Sequence, residues 1–174
     1  MLRTISGLML TLALIACAAP EAKEAPLEGT ISISSGPCLG LCPVFSMQVN
    51  AEDRYTLNSG ANTINEGPSS GGLPFGSLRR ALGLMDRYGF NDLEDRYTPA
   101  TPATCPDQVT GTPTLRISRE APGFQKSVTY DVGCLGFKEK DNLDRLVESL
   151  YRTFRVSDLV AVGEAPKAED QREQ

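Results

Sequence analysis

Histidine and tryptophan are both missing from this 174-residue sequence, and aromatic residues make up only 6% of it. Without histidine the chain lacks the commonest general base, the usual partner of a serine or cysteine nucleophile, and the commonest metal ligand. Without tryptophan it lacks a usual anchor residue of sugar-binding sites and of binding interfaces. These absences count against histidine-dependent catalysis and against histidine-ligated metal sites.

Positive charge is scarce as well, with 17 Lys and Arg residues against 22 Asp and Glu residues and a formal net charge of −5. Nucleic acid binding requires concentrated positive charge because the phosphates must be neutralised. We therefore expect no nucleic acid partner. The remaining composition, 40% hydrophobic and 22% charged, is that of one small globular domain.

The first 16 residues have the features of an export signal. Arg3 supplies a positive charge, and residues 5–15 form a mostly apolar run that is too short to cross a bilayer. The run ends in Leu14-Ile15-Ala16-Cys17, which resembles the bacterial lipobox, where the cysteine is acylated, for example with palmitate, and the chain is cut just before it. The alternative is an ordinary signal peptide that is cleaved within residues 16–19.

Lipid attachment at Cys17 has consequences for charge and location. Loss of Arg3 leaves 16 basic residues against 22 acidic ones, a formal charge of −6. Because anionic lipid does not attract such a chain, acyl groups on Cys17 must provide the membrane attachment. Ala18, rather than aspartate, after the lipidated cysteine implies passage to the outer membrane. The sequence thus predicts a lipid-anchored protein of the bacterial envelope that faces the periplasm.

The two ends of the mature chain are polar. Residues 17–29 combine the lipidated cysteine with prolines, alanines and charges, and they have almost nothing to bury, which is typical of a flexible tether. Residues 160–174 are predicted to be a disordered tail. A single domain is expected over residues 30–159.

Apolar residues that alternate with polar ones predict half-buried strands in the first half of this domain. A turn at residues 50–53 joins the second strand to the third, and a loop at residues 66–72 follows the fourth, which is the weakest. The predicted strands lie at residues 31–33, 45–49, 55–57 and 61–65.

Helical spacing of apolar residues predicts a helix over residues 75–88, ended by Gly89, and a strong amphipathic helix over residues 140–155. Between them, two alternating runs on either side of Pro122-Gly123 predict a β-hairpin. The order strands, helix, hairpin, helix favours antiparallel pairing. We therefore expect an α+β fold, a two-layer sandwich of mainly antiparallel sheet with both helices on one face.

Four cysteines remain in the domain, and in an oxidising compartment they are expected to form disulfides. Three pairings are possible. Cys105 precedes the predicted hairpin and Cys134 follows it, so antiparallel pairing of the intervening strands brings the two together. This leaves Cys38 to pair with Cys42.

The short Cys38–Cys42 loop has three interpretations: a structural turn, a redox-active thiol pair, or a soft-metal site that uses both thiolates. A reactive thiol needs a neighbour that stabilises its thiolate, and no Lys, Arg or His lies between Gly29 and Arg54 in the sequence. The structural turn is therefore the favoured interpretation. We predict no bound metal and no cofactor.

Other candidate motifs are weaker. Residues 67–71 formally match the G-x-S-x-G turn of serine hydrolases, but no histidine exists to deprotonate Ser69. Acidic clusters and a group of arginines have the spacing of solvated helix faces and ends. These charged residues are Asp92, Glu94, Asp95, Glu139, Asp141, Asp144, Arg79, Arg80 and Arg87.

Residues 36–45 read GPCLGLCPVF, which resembles the G-x-C-x-G-x-C-P-x-[FY] signature of domain-of-unknown-function family 6438, a group of bacterial proteins that are often lipoproteins. The resemblance covers residues 31–154, although the Gly/Ser-rich segment at residues 67–72 is longer here. Because the family has no established activity, it implies a fold and an envelope location and no catalytic residue.

From these observations we expect a non-enzymatic binding or structural domain, tethered to the membrane through Cys17, with an envelope protein, peptide or other envelope component as its partner. The alternative is a thiol/disulfide redox or soft-metal-handling protein that uses Cys38 and Cys42.

Overall fold

The computed structural model describes residues 28–161, so the predicted signal segment, the lipid site at Cys17 and most of the predicted tail lie outside the described residues. The strands are β1 (Thr30–Ser35), β2 (Phe45–Val49), β3 (Arg54–Ser59), β4 (Gly67–Gly72), β5 (Arg96–Tyr97), β6 (Asp107–Gln108), β7 (Thr114–Ala121), β8 (Phe124–Asp131) and β9 (Cys134–Leu135). The helices are α1 (Ser77–Arg87), α2 (Lys140–Thr153) and α3 (Val156–Leu159), and a 3₁₀ turn spans Phe90–Asp92.

Seven strands form the main sheet, in the order β4-β3-β2-β1-β7-β8-β5. All neighbours in this sheet are antiparallel except β5 and β8, which are parallel. Strands β6 and β9 pair separately as a small antiparallel ribbon. The architecture is the α+β fold, with a mainly antiparallel sheet, that the sequence predicts.

The apolar residues of the strands all face one side of the sheet, where they meet α1 and α2. Tyr130 on β8 hydrogen-bonds Asp144 on α2, and Arg119 on β7 pairs with Asp86 on α1, so both helices cover the same face. The sheet contributes to the core Ile31, Ile33, Phe45, Met47, Val49, Leu57, Leu115, Ile117, Val128 and Tyr130, and the two helices contribute Leu78, Ala81, Met85, Leu143, Leu146 and Leu150.

The sequence misplaces the fourth strand, and it does not predict the two-residue strands β5, β6 and β9 or the short helix α3. Residues 61–65 form turns, and the strand is Gly67–Gly72, which pairs with β3 in the register Ser59↔Gly67 to Arg54↔Gly72. Its Gly/Ser composition has low strand propensity, so the pattern predicts a loop. A Cβ at Gly71 would lie 2.8 Å from atoms of the Tyr55 side chain, so glycine is needed for this close packing. Tertiary pairing therefore decides this element.

The helices begin and end close to the predicted positions. Helix α1 spans Ser77–Arg87, and Gly89 has the left-handed φ of +69° that was predicted to end it. Helix α2 stops at Thr153, two residues before the predicted end, because the chain turns at Arg155 (φ 55°) into α3.

The N-terminus of α1 is bound by a residue from a distant turn. Gly76, the first residue before the helix, has no side chain to cap it. Asp53, in the β2–β3 turn, supplies the missing acceptors: its carboxylate oxygens accept from the backbone N–H of Gly76 (2.6 Å) and of Leu78 (2.7 Å). Its backbone oxygen also accepts from Leu73 at 2.8 Å. A negative group at this position satisfies free N–H donors and suits the helix dipole.

We expect D53A to lower the free energy of unfolding by about 1–2 kcal/mol, because two N–H groups at the start of α1 lose their acceptor. D53N, which keeps one acceptor oxygen and tolerates the left-handed φ of 54°, should lose less. Urea unfolding followed by circular dichroism measures both. The exposed neighbour Glu52 provides the control, and equal losses in E52A and D53A would contradict the capping role.

Candidate functional site

The face of the main sheet opposite α1 and α2 bears short polar side chains and is left open by residues 28–161. Strand register aligns these side chains into two rows that cross the sheet. The first row is Ser70, Thr56, Gln48, Ser32, Ser118 and Ser127. The second is Pro68, Asn58, Ser46, Ser34, Arg116, Thr129 and Arg96.

These two rows line a groove of about 750 Å³, which we call the outer groove. Its walls come from β1, β2, β3, β4 and β7, so the open face is concave rather than flat. The volume falls within the range of small-molecule sites, about 300–1,000 Å³. Strands lie about 4.8 Å apart, so the part of each row that lines the groove, from β4 to β7, is about 19 Å long. The outer groove is therefore long enough for an elongated ligand.

Two arginines belong to the second row at its β7–β5 end. The Nε of Arg116 donates to the hydroxyl of Ser127 at 2.9 Å. Within residues 28–161, neither Arg116 nor Arg96 forms an ion pair. This end of the outer groove is therefore a place where a negatively charged ligand group would find guanidinium partners.

A small polar hollow of about 260 Å³ adjoins this end and includes Arg116, Arg96, Lys126 and Asp95. Lys126 donates to Asp95 Oδ1 at 2.7 Å and to the backbone oxygen of Leu93 at 2.6 Å. The hydrogen bond from Lys126 holds the pKa of the Asp95 carboxyl below its ordinary value. Lys126 thus compensates Asp95, and the positive charge of Arg96 also lowers the pKa of Asp95, which leaves Arg116 as the guanidinium without a carboxylate partner among residues 28–161.

Both disulfides lie at one end of the sheet, away from the β2–β3 and β7–β8 turns. Cys38 is bonded to Cys42 and Cys105 to Cys134, the pairing expected from the sequence. Cys105 and Cys134 are buried, whereas Cys38 and Cys42 are half-buried. The two pairs therefore differ in access to a soluble reagent.

The Cys38–Cys42 loop is attached to the domain by backbone hydrogen bonds. The N–H of Leu39 donates to the Gly111 oxygen at 3.0 Å, and the Asn62 side chain donates to the Cys42 oxygen at 3.1 Å. The Leu39 side chain passes over Gly111 and is nevertheless 87% exposed. These contacts fit a structural turn that presents an apolar residue.

The hydrolase-like motif has the wrong local structure. Ser69 lies inside strand β4, paired with Leu57, and not on a turn between a strand and a helix. The motif is therefore an accident of the Gly/Ser-rich strand. Among residues 28–161 no group of three or more His, Cys, Asp or Glu residues is arranged to hold a metal ion.

One polar cluster joins the sheet to α2 and includes Asp144, one of the acidic residues singled out in the sequence. The Tyr130 hydroxyl donates to Asp144 Oδ1 at 2.6 Å and accepts from the Lys140 ammonium at 2.9 Å, and Lys140 pairs with Asp144 at 2.7 Å. Burial, and then the bond to Asp144, raises the pKa of Tyr130 to about 12. Since Tyr130 is 1% exposed, its hydroxyl holds α2 on the sheet and is closed to a substrate, whereas the Asp144 side chain of the same cluster is 45% exposed.

Alkaline pH should destabilise the protein through its buried tyrosines. Burial also raises the pKa of Tyr151 to about 12. A folded-state pKa above the unfolded value of about 10 means that this stabilisation is complete below pH 10 and is lost as pH rises towards 12. We expect the free energy of unfolding, measured in urea at intervals from pH 9 to 12, to fall over this window. The free energy of unfolding should fall less steeply with pH in Y130F and Y151F. An unchanged pH dependence in both variants would contradict a role for these tyrosines.

Sequence reasoning missed the outer groove. The alternation itself was visible, with serines between the isoleucines of β1 and Ser46 and Gln48 between the apolar residues of β2. It could not show which polar residues share a row, because that depends on strand order and register. Arg116 is an example: it lies about 80 positions after β1 in the sequence, yet the register of β1 and β7 places it beside Ser34.

Comparison with known proteins gives a family and no activity. No curated protein matches the chain, and no helix within residues 28–161 is long and apolar enough to cross a membrane. The profile of one family, described as Domain of unknown function (DUF6438), matches residues 29–153. The match covers well over half of the chain and contains both disulfides and the strands of the outer groove. The chain therefore belongs to the DUF6438 family of domains of unknown function.

Proposed function

We propose that this protein is a lipid-tethered binding domain of the bacterial cell envelope, and that its outer groove binds an anionic glycan strand. The observation that supports this proposal is the alignment of hydroxyl and amide side chains in two rows across the open sheet face. Attachment through Cys17 and location in the envelope are part of the proposal and follow from the sequence alone.

The chemistry of the rows favours a hydroxyl-rich ligand. Serine and threonine hydroxyls both donate and accept hydrogen bonds, and the Asn58 and Gln48 amides do the same through two atoms. Sugar hydroxyls have the same dual character. Pro68 is the single apolar side chain in the two rows, so an apolar ligand would gain little there.

The arginines favour a ligand that carries carboxylates. A guanidinium binds a carboxylate through two parallel hydrogen bonds, which are stronger than neutral ones. Arg116 and Arg96 lie two strands apart in the second row, about 10 Å, so they would contact acidic groups on successive parts of one strand-like ligand.

Recognition of an extended peptide fits this surface less well. Peptides that add to a sheet bond to the backbone of an edge strand, and pockets for alternate side chains give their specificity. The two rows cross the face of the sheet instead of following its edge. The groove lining also contains no carboxylate, cysteine or lysine to act as an acid, base or nucleophile, which favours binding over catalysis.

The test is calorimetric titration of the full acylated chain, held in detergent micelles, with tetragalacturonate as the anionic probe. We expect R116Q to weaken binding at least tenfold, because a charge-assisted bidentate bond is lost. R87Q, which removes an exposed arginine on α1 in the other layer, should bind like the parent.

Two further titrants identify the ligand class. Maltotetraose, which is neutral, should bind more weakly than tetragalacturonate, and tetraglutamate, which has charge without sugar hydroxyls, should bind more weakly too. Equal binding of tetraglutamate would show that charge alone is recognised and would contradict a glycan site. Equal binding of tetragalacturonate by R116Q and by the parent chain would show that the ligand does not bind at the Arg116 end of the outer groove.

A second candidate, a thiol/disulfide function at Cys38 and Cys42, has one observation in its favour: this pair is half-buried whereas Cys105 and Cys134 are buried. A catalytic disulfide opens at a mild potential, while structural ones resist. We expect both disulfides to stay closed in a glutathione buffer at about −200 mV, measured by alkylation and peptide mapping. Opening of Cys38–Cys42 alone, with the fold retained, would favour the redox function instead.

The same disulfides should differ in their contribution to stability. Cys105 and Cys134 are 29 positions apart and Cys38 and Cys42 are 4 apart, so the longer loop loses more entropy in the cross-linked unfolded chain. We expect C105S/C134S to lower the free energy of unfolding by about 3–4 kcal/mol and C38S/C42S to lower it by about 2 kcal/mol. Urea unfolding measures both. The reverse order would show that the short loop stabilises the fold by packing.

A further inference from the structure

Phe75 is the most exposed large apolar residue of the described chain, with 99% of its side chain open to solvent. It lies between Pro74 and Gly76 at the tip of the β4–α1 connection. Single exposed apolar residues are normal on protein surfaces, so the case for a partner rests on where Phe75 lies in the fold.

The turn that carries Phe75 is rigid. Leu73 donates to the Asp53 backbone oxygen, Gly76 donates to the Asp53 carboxylate at 2.6 Å, and the Ser77 hydroxyl donates to the Pro74 oxygen at 2.6 Å. These bonds fix the chain on both sides of the phenylalanine. A side chain on a fixed backbone gives up only its own rotamer freedom when it contacts a partner.

Phe75 lies at the end of the sheet where the chain enters the domain. Strand β1 begins there with Thr30, which pairs with Glu120 beside the β7–β8 turn. Phe124 follows that turn and is 36% exposed, partly covered by the Arg119 guanidinium 4.9 Å from its ring centre. In the sheet, β1 lies between β4, which Phe75 follows, and β8, which Phe124 begins. The chain that enters at β1 therefore has one phenylalanine on either side.

We propose that this end of the domain rests on the membrane, with Phe75 inserted into the interfacial layer and Phe124 in contact with it. The proposal rests on the lipid tether at Cys17 that is part of the proposed function. Residues 18–29 span at most about 40 Å when extended, so an acylated Cys17 keeps this end near the bilayer. At the resulting high effective concentration, a weak apolar contact is enough to orient the domain.

Charge does not compete with this contact. Arg79 and Arg80 are exposed on the first turn of α1 beside Phe75, and Arg54 is exposed at the start of β3. The exposed acidic residues at the same end include Glu28, Glu52, Glu120 and Asp86, and Asp86 pairs with the Arg119 guanidinium that lies over Phe124. The two signs are mixed, so the contact we propose is apolar and does not require anionic lipid.

This orientation places the Cys38–Cys42 loop at the end of the sheet that faces away from the bilayer. Leu39 at 87% exposure and Leu41 at 56% lie there and would remain free for contacts with other envelope components. The outer groove then runs across the side of the domain, open to the periplasm.

The absence of tryptophan from the sequence permits a direct test. Single tryptophans are introduced as F75W, F124W and, as the control at the other end, L39W. Each full chain, as a bacterial host processes it, is purified and reconstituted into phosphatidylethanolamine vesicles that contain phosphatidylcholine brominated at acyl carbons 6 and 7. Bromine quenches only an indole that reaches the acyl region.

We expect F75W emission to fall by at least half and to shift to the blue, F124W to be quenched less because Arg119 covers its ring, and L39W to be unchanged. Quenching of L39W equal to that of F75W, or no quenching of F75W, would overturn the proposal. A blue shift of F75W without bromine quenching, growing with protein density, would instead assign Phe75 to contact between copies and overturn it as well.

Flotation of the same vesicles in a density gradient separates this proposal from the tether. If the chain fails to float, the lipid tether is wrong and the membrane contact falls with it. If the chain floats and F75W is not quenched, the tether stands and the Phe75 contact alone is wrong.

Discussion

The alternation of side chains along the strands of the main sheet governs the rest of this structure. Because α1 and α2 must bury one face of the sheet, most of the alternate residues of β1, β2, β7 and β8 that face them are apolar and closely packed, with Ser35, Arg119 and Lys126 as the polar exceptions. The other residues are left on the open face, where the chain has placed serine, threonine, asparagine and glutamine in place of the longer charged side chains common on exposed sheets. The apolar core and the hydrogen-bonding surface thus both follow from the alternation of side chains between the two faces of the sheet.

The two ends of the sheet differ in how they are fixed. At the disulfide end, covalent bonds close the loops after β1 and around the β7–β8 hairpin. At the other end a single carboxylate, that of Asp53, joins the β2–β3 turn to the start of α1. Each device holds loops that have little apolar area of their own to bury. Rigid ends in turn keep the groove between them in a fixed shape, which lowers the entropy lost when a ligand binds.

The titratable side chains of two clusters outside the outer groove satisfy one another. Tyr130, Lys140 and Asp144 satisfy one another between the sheet and α2, and Lys126 balances Asp95 at the sheet edge. The open face holds mainly neutral donors and acceptors with arginine at one side. Under the proposed function, such a surface would recognise its ligand through many modest hydrogen bonds and a few charge-assisted ones, with an affinity that depends on ligand length.

The sequence by itself determined the α+β class, most strands, both long helices and the cysteine pairing, because these depend on periodicity and on contacts that are local or lie across one hairpin. Helix α1 and the Pro122-Gly123 hairpin are examples. Tertiary structure alone decided the rest. Strand β4 forms because a Gly/Ser segment pairs with β3 beside Tyr55, and Asp53 reaches a helix that begins 24 positions later. The two rows of the outer groove depend on strand order, since register between distant segments is set by the burial of their apolar partners and is not written in any one strand.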